Sequence, residues 1–255
     1  MNREELLKQA KPILFNTEMV TAILEGRKTV TRRVLKLPSY IEQNENGLYT
    51  LFAEGTCYEN QSMEQIKEYI KPPYAAGDIL YVRETWQKVF ETEYNIDGYG
   101  GCKNIRELIS NFDEVPKVCV GLSTEDSCPL TEPRNKYYVY KASNIKFSDK
   151  GLWWKPSIHM PKEAARIFLK VTDVRVERLQ DITPKEIERE GLKNPCEECY
   201  VKRETCEDCI CRDKYVDKLI WSELWNSTIK KADLDEYGWE ANPWVWVIEF
   251  ERVEV

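Results

Sequence analysis

The stretch Gly26-Arg27-Lys28-Thr29-Val30-Thr31-Arg32-Arg33 carries four cations, Arg27, Lys28, Arg32 and Arg33, within seven residues. Ahead of it, Thr17 to Glu25 reads as a short helix: Asn16 or Thr17 supplies the capping side chain, and Gly26 reaches the left-handed backbone on which a helix closes. Behind it, Thr29 to Leu35 alternates and is rich in β-branched residues, the mark of a strand. Lys11 to Phe15 reads as a further short strand before the helix. The order is therefore strand, helix, glycine turn, strand, with the charge at the turn. Cations there suit the negative end of a helix dipole. They also suit a ligand, because Thr29 and Thr31 interleave hydroxyls able to bond phosphate or base edges and Gly26 admits a close approach to the backbone.

Outward from this turn the pattern weakens from Gln43 to Pro73, an irregular excursion that returns through the turn Pro72 to Asp78 into a strand over Ile79 to Glu84. Residues 90 to 135 form a second insertion, and strands resume at Tyr137 to Lys141 and Ala165 to Leu179, separated by a loop from Trp153 to Pro161. Ile182 to Glu190 reads as a short helix, with Thr183 as cap, Pro184 in its first turn and Gly191 just past its end. A longer helix follows over Asp213 to Lys230, with Val216, Ile220 and Leu224 at helical spacing, and the chain ends in a strand from Trp244 to Glu251. Five or six strands with few helices between them predict one α+β domain over residues 11 to 252, built on a small mixed β-barrel with short helices. Insertions interrupt it at about 43–71, 90–135 and 195–211.

A chain of 255 residues with 42% hydrophobic residues can bury a sizeable core. No run of about 18 apolar residues is present to span a bilayer, and the start MNREELLKQAKPILF lacks the apolar stretch of a signal peptide, so a cytoplasmic protein without membrane partners is expected. The net charge of −7 excludes a protein that coats nucleic acid through many phosphate contacts. A local basic site on an acidic protein suits one nucleotide or a short single strand. The eight tryptophans and fourteen tyrosines cluster in strand-like segments, which makes most of them core.

Cys196-x2-Cys199-x6-Cys206-x2-Cys209 sets out two close thiolate pairs, the arrangement that supplies four soft ligands to a tetrahedral structural Zn2+. Cys211 can replace Cys206 or Cys209 in that set, and an iron–sulfur cluster or unligated thiols remain alternatives. Cys57, Cys102, Cys119 and Cys128 show no paired spacing and read as structural.

Gly26, Lys28 two residues on and Arg33 five residues after that, following a short helix, resemble the signature of the ASCH domain family, a branch of the PUA-like barrels. Gly77-Asp78-Ile79-Leu80, Leu179 to Thr183 and Val245 to Phe250 resemble other segments of that family in the expected order. Phage- and prophage-borne ASCH-like proteins are most similar, through Val82 to Trp86 and Trp154 to Pro161. Thr31 stands where the family more often has an acidic residue, as in the branch that resembles N4-acetylcytidine amidohydrolases. That resemblance implies a PUA-like barrel that binds RNA, single-stranded nucleic acid or a modified nucleoside. It further implies catalytic roles for Lys28, Thr31 and Glu190.

Removal of an acyl group needs a nucleophile, a base and an acid, roles that Thr31, Lys28 and Glu190 can fill. Neighbouring cations and partial burial would lower the pKa of Lys28 toward that of a base, while Arg33 anchors a phosphate or oxyanion and Arg27 adds to the anion site. In a regular strand Lys28 and Thr31 would point to opposite faces, so the scheme needs Lys28 in the turn. Arg83 and Glu84 read either as an ion pair or as base contacts, and Trp86 as core or stacking platform. Ser157 and His159, the one histidine, either line a pocket beside Lys28 or belong to a rigid loop braced by Pro156 and Pro161. Three functions compete: nucleobase or nucleic-acid binding, hydrolysis of an acylated nucleoside or nuclease action, and a phage protein that acts on a host protein through residues 90–135 and the cysteine insert.

Overall fold

Capping chemistry sets the helix that precedes the basic turn: Asn16 accepts a hydrogen bond from the Met19 N–H, and Gly26 follows the last helical residues at φ 76°. The computed structural model describes residues 2–36, 40–53, 55–90, 94–95, 102–103, 118–123, 134–145, 154–192 and 214–254. In chain order the elements are α1 (Arg3–Gln9), β1 (Lys11–Leu14), α2 (Thr17–Leu24), β2 (Val30–Val34), β3 (Tyr40–Gln43), β4 (Tyr49–Ala53), β5 (Thr56–Gln61), α3 (Met63–Ile70), β6 (Ile79–Arg83) and β7 (Trp86–Phe90). There follow β8 (Tyr94–Asn95), β9 (Cys102–Lys103), β10 (Val118–Ser123), β11 (Arg134–Tyr140), β12 (Phe168–Arg178), α4 (Pro184–Arg189), α5 (Lys214–Thr228), α6 (Leu234–Tyr237) and β13 (Trp244–Val253). The α+β class holds, with several sheets and short helices. Among the described residues no sheet closes into the expected barrel.

The chain divides into two compact units: Met1–Gly26, Ile79–Lys170 and Arg252–Val255 form the first, Arg27–Asp78 and Val171–Glu251 the second. In the first unit β1 runs parallel to β6, with Ile13 opposite Val82, and β6 pairs antiparallel with Phe168–Lys170 of β12. Strand β11 pairs antiparallel with β7 and β10. The core packs Leu6 of α1 against Tyr81, Trp86, Tyr138, Tyr140, Met160 and Phe168. Helix α1 was missed in the sequence, although Asn2 and Glu5 form a reciprocal capping box that marks its start.

In the second unit β2 pairs antiparallel with β13, with Thr31 opposite Ile248 and Arg32 opposite Val247, and β13 lies between β2 and β12. Its core joins Val30, Leu179, Ile187, Val245 and Val247 to Trp221 and Trp225 of α5. The helix expected over Asp213 to Lys230 is present as α5, and its deeply buried residues are Trp221 and Trp225, with Leu224 partly buried beside them. The excursion expected over 43–71 is ordered. Strands β3, β4 and β5 form an antiparallel sheet, α3 starts at a Ser62–Gln65 capping box, and Ile41, Leu51 and Ile66 are buried.

Residues 195–211, with Cys196, Cys199, Cys206, Cys209 and Cys211, lie outside the described residues, as does Cys128. Cys57, read as structural, is exposed on β5. Among the described residues no helix is long and apolar enough to cross a membrane, and no group of histidine, cysteine or carboxylate side chains is arranged to hold a metal.

Candidate functional site

The site is assembled at the C-terminal end of α4. Thr183 and Glu186 cap the start of this helix reciprocally, Pro184 occupies its first turn, and the chain leaves it through Glu190 and then Gly191 at φ 96°. A helix end leaves its last carbonyls without intrahelical partners. Three consecutive residues of the basic turn meet them in reverse order. The Arg27 guanidinium donates to the Gly191 carbonyl, Lys28 Nζ donates to the Glu190 carbonyl at 2.8 Å, and the Thr29 N–H donates to the Arg189 carbonyl at 2.9 Å. Arg27 and Lys28 of the turn thus serve the end of a helix some 160 residues away in the chain. Lys28 precedes β2, so it belongs to the turn, as the chemistry read from the sequence required.

Lys28 Nζ also lies 2.7 Å from Oε2 of Glu190, 162 residues away, and both side chains are essentially out of solvent. The second carboxylate oxygen, Oε1, receives Nη1 of Arg32 at 3.1 Å. Arg32 extends Nη2 to Glu177 and Glu186, each at 3.4 Å, while among the described residues its buried Nε has no partner. Around this centre Arg175 joins Glu177, Glu186 and Glu249, and Arg189 joins Glu249 at 2.6 Å and Thr29 Oγ1 at 3.1 Å. Four cations, Lys28, Arg32, Arg175 and Arg189, face five carboxylates, Asp173, Glu177, Glu186, Glu190 and Glu249.

Desolvation holds the Lys28 ammonium below the ordinary lysine pKa; the charge and hydrogen bond of Glu190 oppose this, and Arg33 and Arg32 add to it. Burial likewise lowers Arg33, against the pull of Glu190 and Tyr74, and raises Tyr74, with Arg33 opposing and Asp78 assisting. Burial works against Arg175 too, but its hydrogen bonds to Glu177 and Glu249 outweigh that and raise it. Side chains alternate along a strand, so Val30 and Arg32 share one face of β2 while Thr31 and Arg33 share the other. Thr31 is buried, yet it lies on the sheet face opposite the one from which Arg32 grips Glu190.

The remaining predicted residues belong to the first unit. Arg83 donates to the Ile158 carbonyl, and its buried Nε has no partner among the described residues. Glu84 is fully buried and bound side-on by Arg166, with Nε to Oε1 and Nη2 to Oε2 both at 2.8 Å. Burial raises the Glu84 pKa, and Arg166 opposes the rise. Arg166 stacks over Tyr140 at 4.2 Å and reaches Ser143 Oγ at 2.9 Å. Trp86 is core rather than an open stacking platform: it is 5% exposed and packs on Tyr138 with ring centroids 5.6 Å apart. Ser157 and the exposed His159 lie on one short 3-10 turn after Pro156.

Arg32 was read as one of the four cations of the turn, without a role of its own, and Arg175, Arg189, Glu177, Glu186 and Glu249 were not foreseen as site residues. For Arg175 and Glu177 the local signal is the alternation Val174-Arg175-Val176-Glu177, which puts charge on one face of β12. An open groove of about 400 Å³ in the second unit, lined by Asn226, Asp235, Trp239 and Glu240 among others, contains none of the signature residues. Compared with models of known protein families, with curated proteins and with solved structures, the chain matches none of them.

Proposed function

We propose that this protein binds a nucleobase, as a modified nucleoside or within RNA or another single strand, at the Lys28–Glu190 pair. The observation that carries this reading is the buried 2.7 Å contact between two residues 162 apart that the signature resemblance had singled out independently. Burying such a pair is a poor route to stability, because desolvation of both ions offsets their attraction. It is a good way to hold two hydrogen-bonding groups side by side for a base edge, where a carboxylate accepts from an exocyclic amine and the lysine nitrogen meets the adjacent ring position. Arg33, half-buried on the other face of β2, is the anchor for a phosphate. The resemblance to phage-borne ASCH-like proteins supports a phage setting for this activity.

Hydrolysis of an N-acylated nucleoside is the second reading, favoured by the Lys28–Glu190 contact and the lowered Lys28. The position of Thr31 on the opposite face of β2 ranks it below binding. Incubation with N4-acetylcytidine separates the two: binding without release of cytidine and acetate supports recognition alone, and turnover that Lys28→Ala abolishes supports hydrolysis. If neither is seen and charge reversal at Lys28 and Arg33 leaves capture of a host protein intact, the protein acts through that partner instead. Cys196, Cys199, Cys206 and Cys209 are proposed as a structural Zn2+ site. Metal analysis should find one zinc per chain, and substantially less in the unchelated protein would remove the site from the account.

A further inference from the structure

We propose that Arg32 is the positioning residue of this site: it balances the charge of Glu190 so that Lys28 can stand beside that carboxylate without its proton, as a neutral amine that accepts a hydrogen bond from a base. The proposal rests on the nucleobase reading above and adds to it a residue outside the signature. Glu190 divides its oxygens between two cations, Oε2 to Lys28 at 2.7 Å and Oε1 to Arg32 at 3.1 Å. Were Lys28 its sole partner, release of the lysine proton to solvent would strand a buried carboxylate, a heavily penalised state. With Arg32 in place the carboxylate keeps a cation throughout, because a guanidinium does not give up its proton in proteins.

The surroundings favour this division of labour. Lys28 is faced by Glu190 at the end of α4 and by Arg32 and Arg33 of β2; Arg32 is faced by Glu177 of β12 and by Glu186 and Glu190 of α4. The guanidinium forks, Nη1 to Glu190 and Nη2 to the other two carboxylates, which fixes its plane and therefore the position of Glu190. A lysine at 32 would present a single charged nitrogen and could not hold this fork. The lowered proton affinity of Lys28, set first by burial and aided by Arg33 and Arg32, agrees with the geometry.

Lysine Nζ NMR on the full chain, with Lys28 assigned from a Lys28→Met variant, reads this directly. In the wild-type protein Lys28 should lose its proton below the ordinary lysine value near 10.4; an ammonium that persists through that pH overturns the proposal. In Arg32→Met the Lys28 midpoint should move up by about one pH unit or more, and Arg32→Lys should reverse most of that shift. An unmoved or lowered midpoint in folded Arg32→Met protein overturns the proposal, and the wild-type titration decides it if that variant does not fold. Binding of cytidine, measured alongside, keeps two failures apart. A failed titration with intact binding removes only the role of Arg32, whereas the expected titration without binding removes the nucleobase site on which that role rests.

Discussion

Each of the two units buries a carboxylate against an arginine, and the two arrangements differ in what they leave open. In the first, Glu84 and Arg166 match one charge to one charge through two parallel hydrogen bonds, with Tyr140 and Ser143 closing the rest of the guanidinium. Burial raises the Glu84 pKa, and the paired guanidinium opposes that rise. In the second, Glu190 is shared by Arg32 and Lys28, and Lys28 is an amine whose proton burial has loosened. The first arrangement holds a fold together; the second has the asymmetry that acid–base chemistry and base recognition need.

Breaking the closed pair should have the largest effect. Arg166→Met leaves Glu84 buried without a cation and should cost ~3–5 kcal/mol of stability by urea denaturation, while Glu84→Leu/Arg166→Met together should cost far less than either change alone. In the other arrangement Lys28→Met leaves Glu190 still held by Arg32. Its stability loss should be distinctly smaller than that of Arg166→Met, but cytidine binding should weaken about tenfold or more, corresponding to ~1.4 kcal/mol. Equal stability losses in the two variants would erase the distinction.

The pH response sharpens the comparison more gently. A lysine with a lowered folded-state pKa binds fewer protons folded than unfolded between its folded value and about 10.4, so its contribution to stability grows as pH rises through that window. Tyr74 and Tyr140, both raised, hold their protons longer in the folded state and oppose this above about pH 10. The difference between wild type and Lys28→Met isolates the lysine: the wild type should gain on the variant as pH rises through that window toward about 10.4, and parallel curves would contradict the lowered lysine. Smallest should be Trp86→Phe in the first unit, which keeps an aromatic core residue against Tyr138 and should leave cytidine affinity within about twofold.

Legibility in the sequence followed the range of the interactions. The caps at Asn16 and Thr183, the glycine ends at Gly26 and Gly191, and the strands of β2, β6 and β13 depend on neighbours a few residues away and could be read directly. The sheet over β3 to β5 escaped because its strands carry few consecutive apolar residues: β5 buries little, and Ile41 and Leu51 are the buried apolar residues among those described. At the site, Lys28 and Glu190 were legible through resemblance, but their contact and its sharing with Arg32 were not. Ion pairs formed across some 160 residues leave no periodicity. The same limit applied to the basic turn, where cations that look like an open anion site are largely engaged by the end of α4.

The most direct test of the nucleobase site is calorimetric titration of the full chain with cytidine and N4-acetylcytidine, repeated with Glu190→Gln, which keeps the shape of the side chain and removes its charge. Saturable one-to-one binding to the wild type that falls about tenfold or more in Glu190→Gln is the expected result. Absence of binding to the wild type, or equal affinity in both proteins, would contradict it.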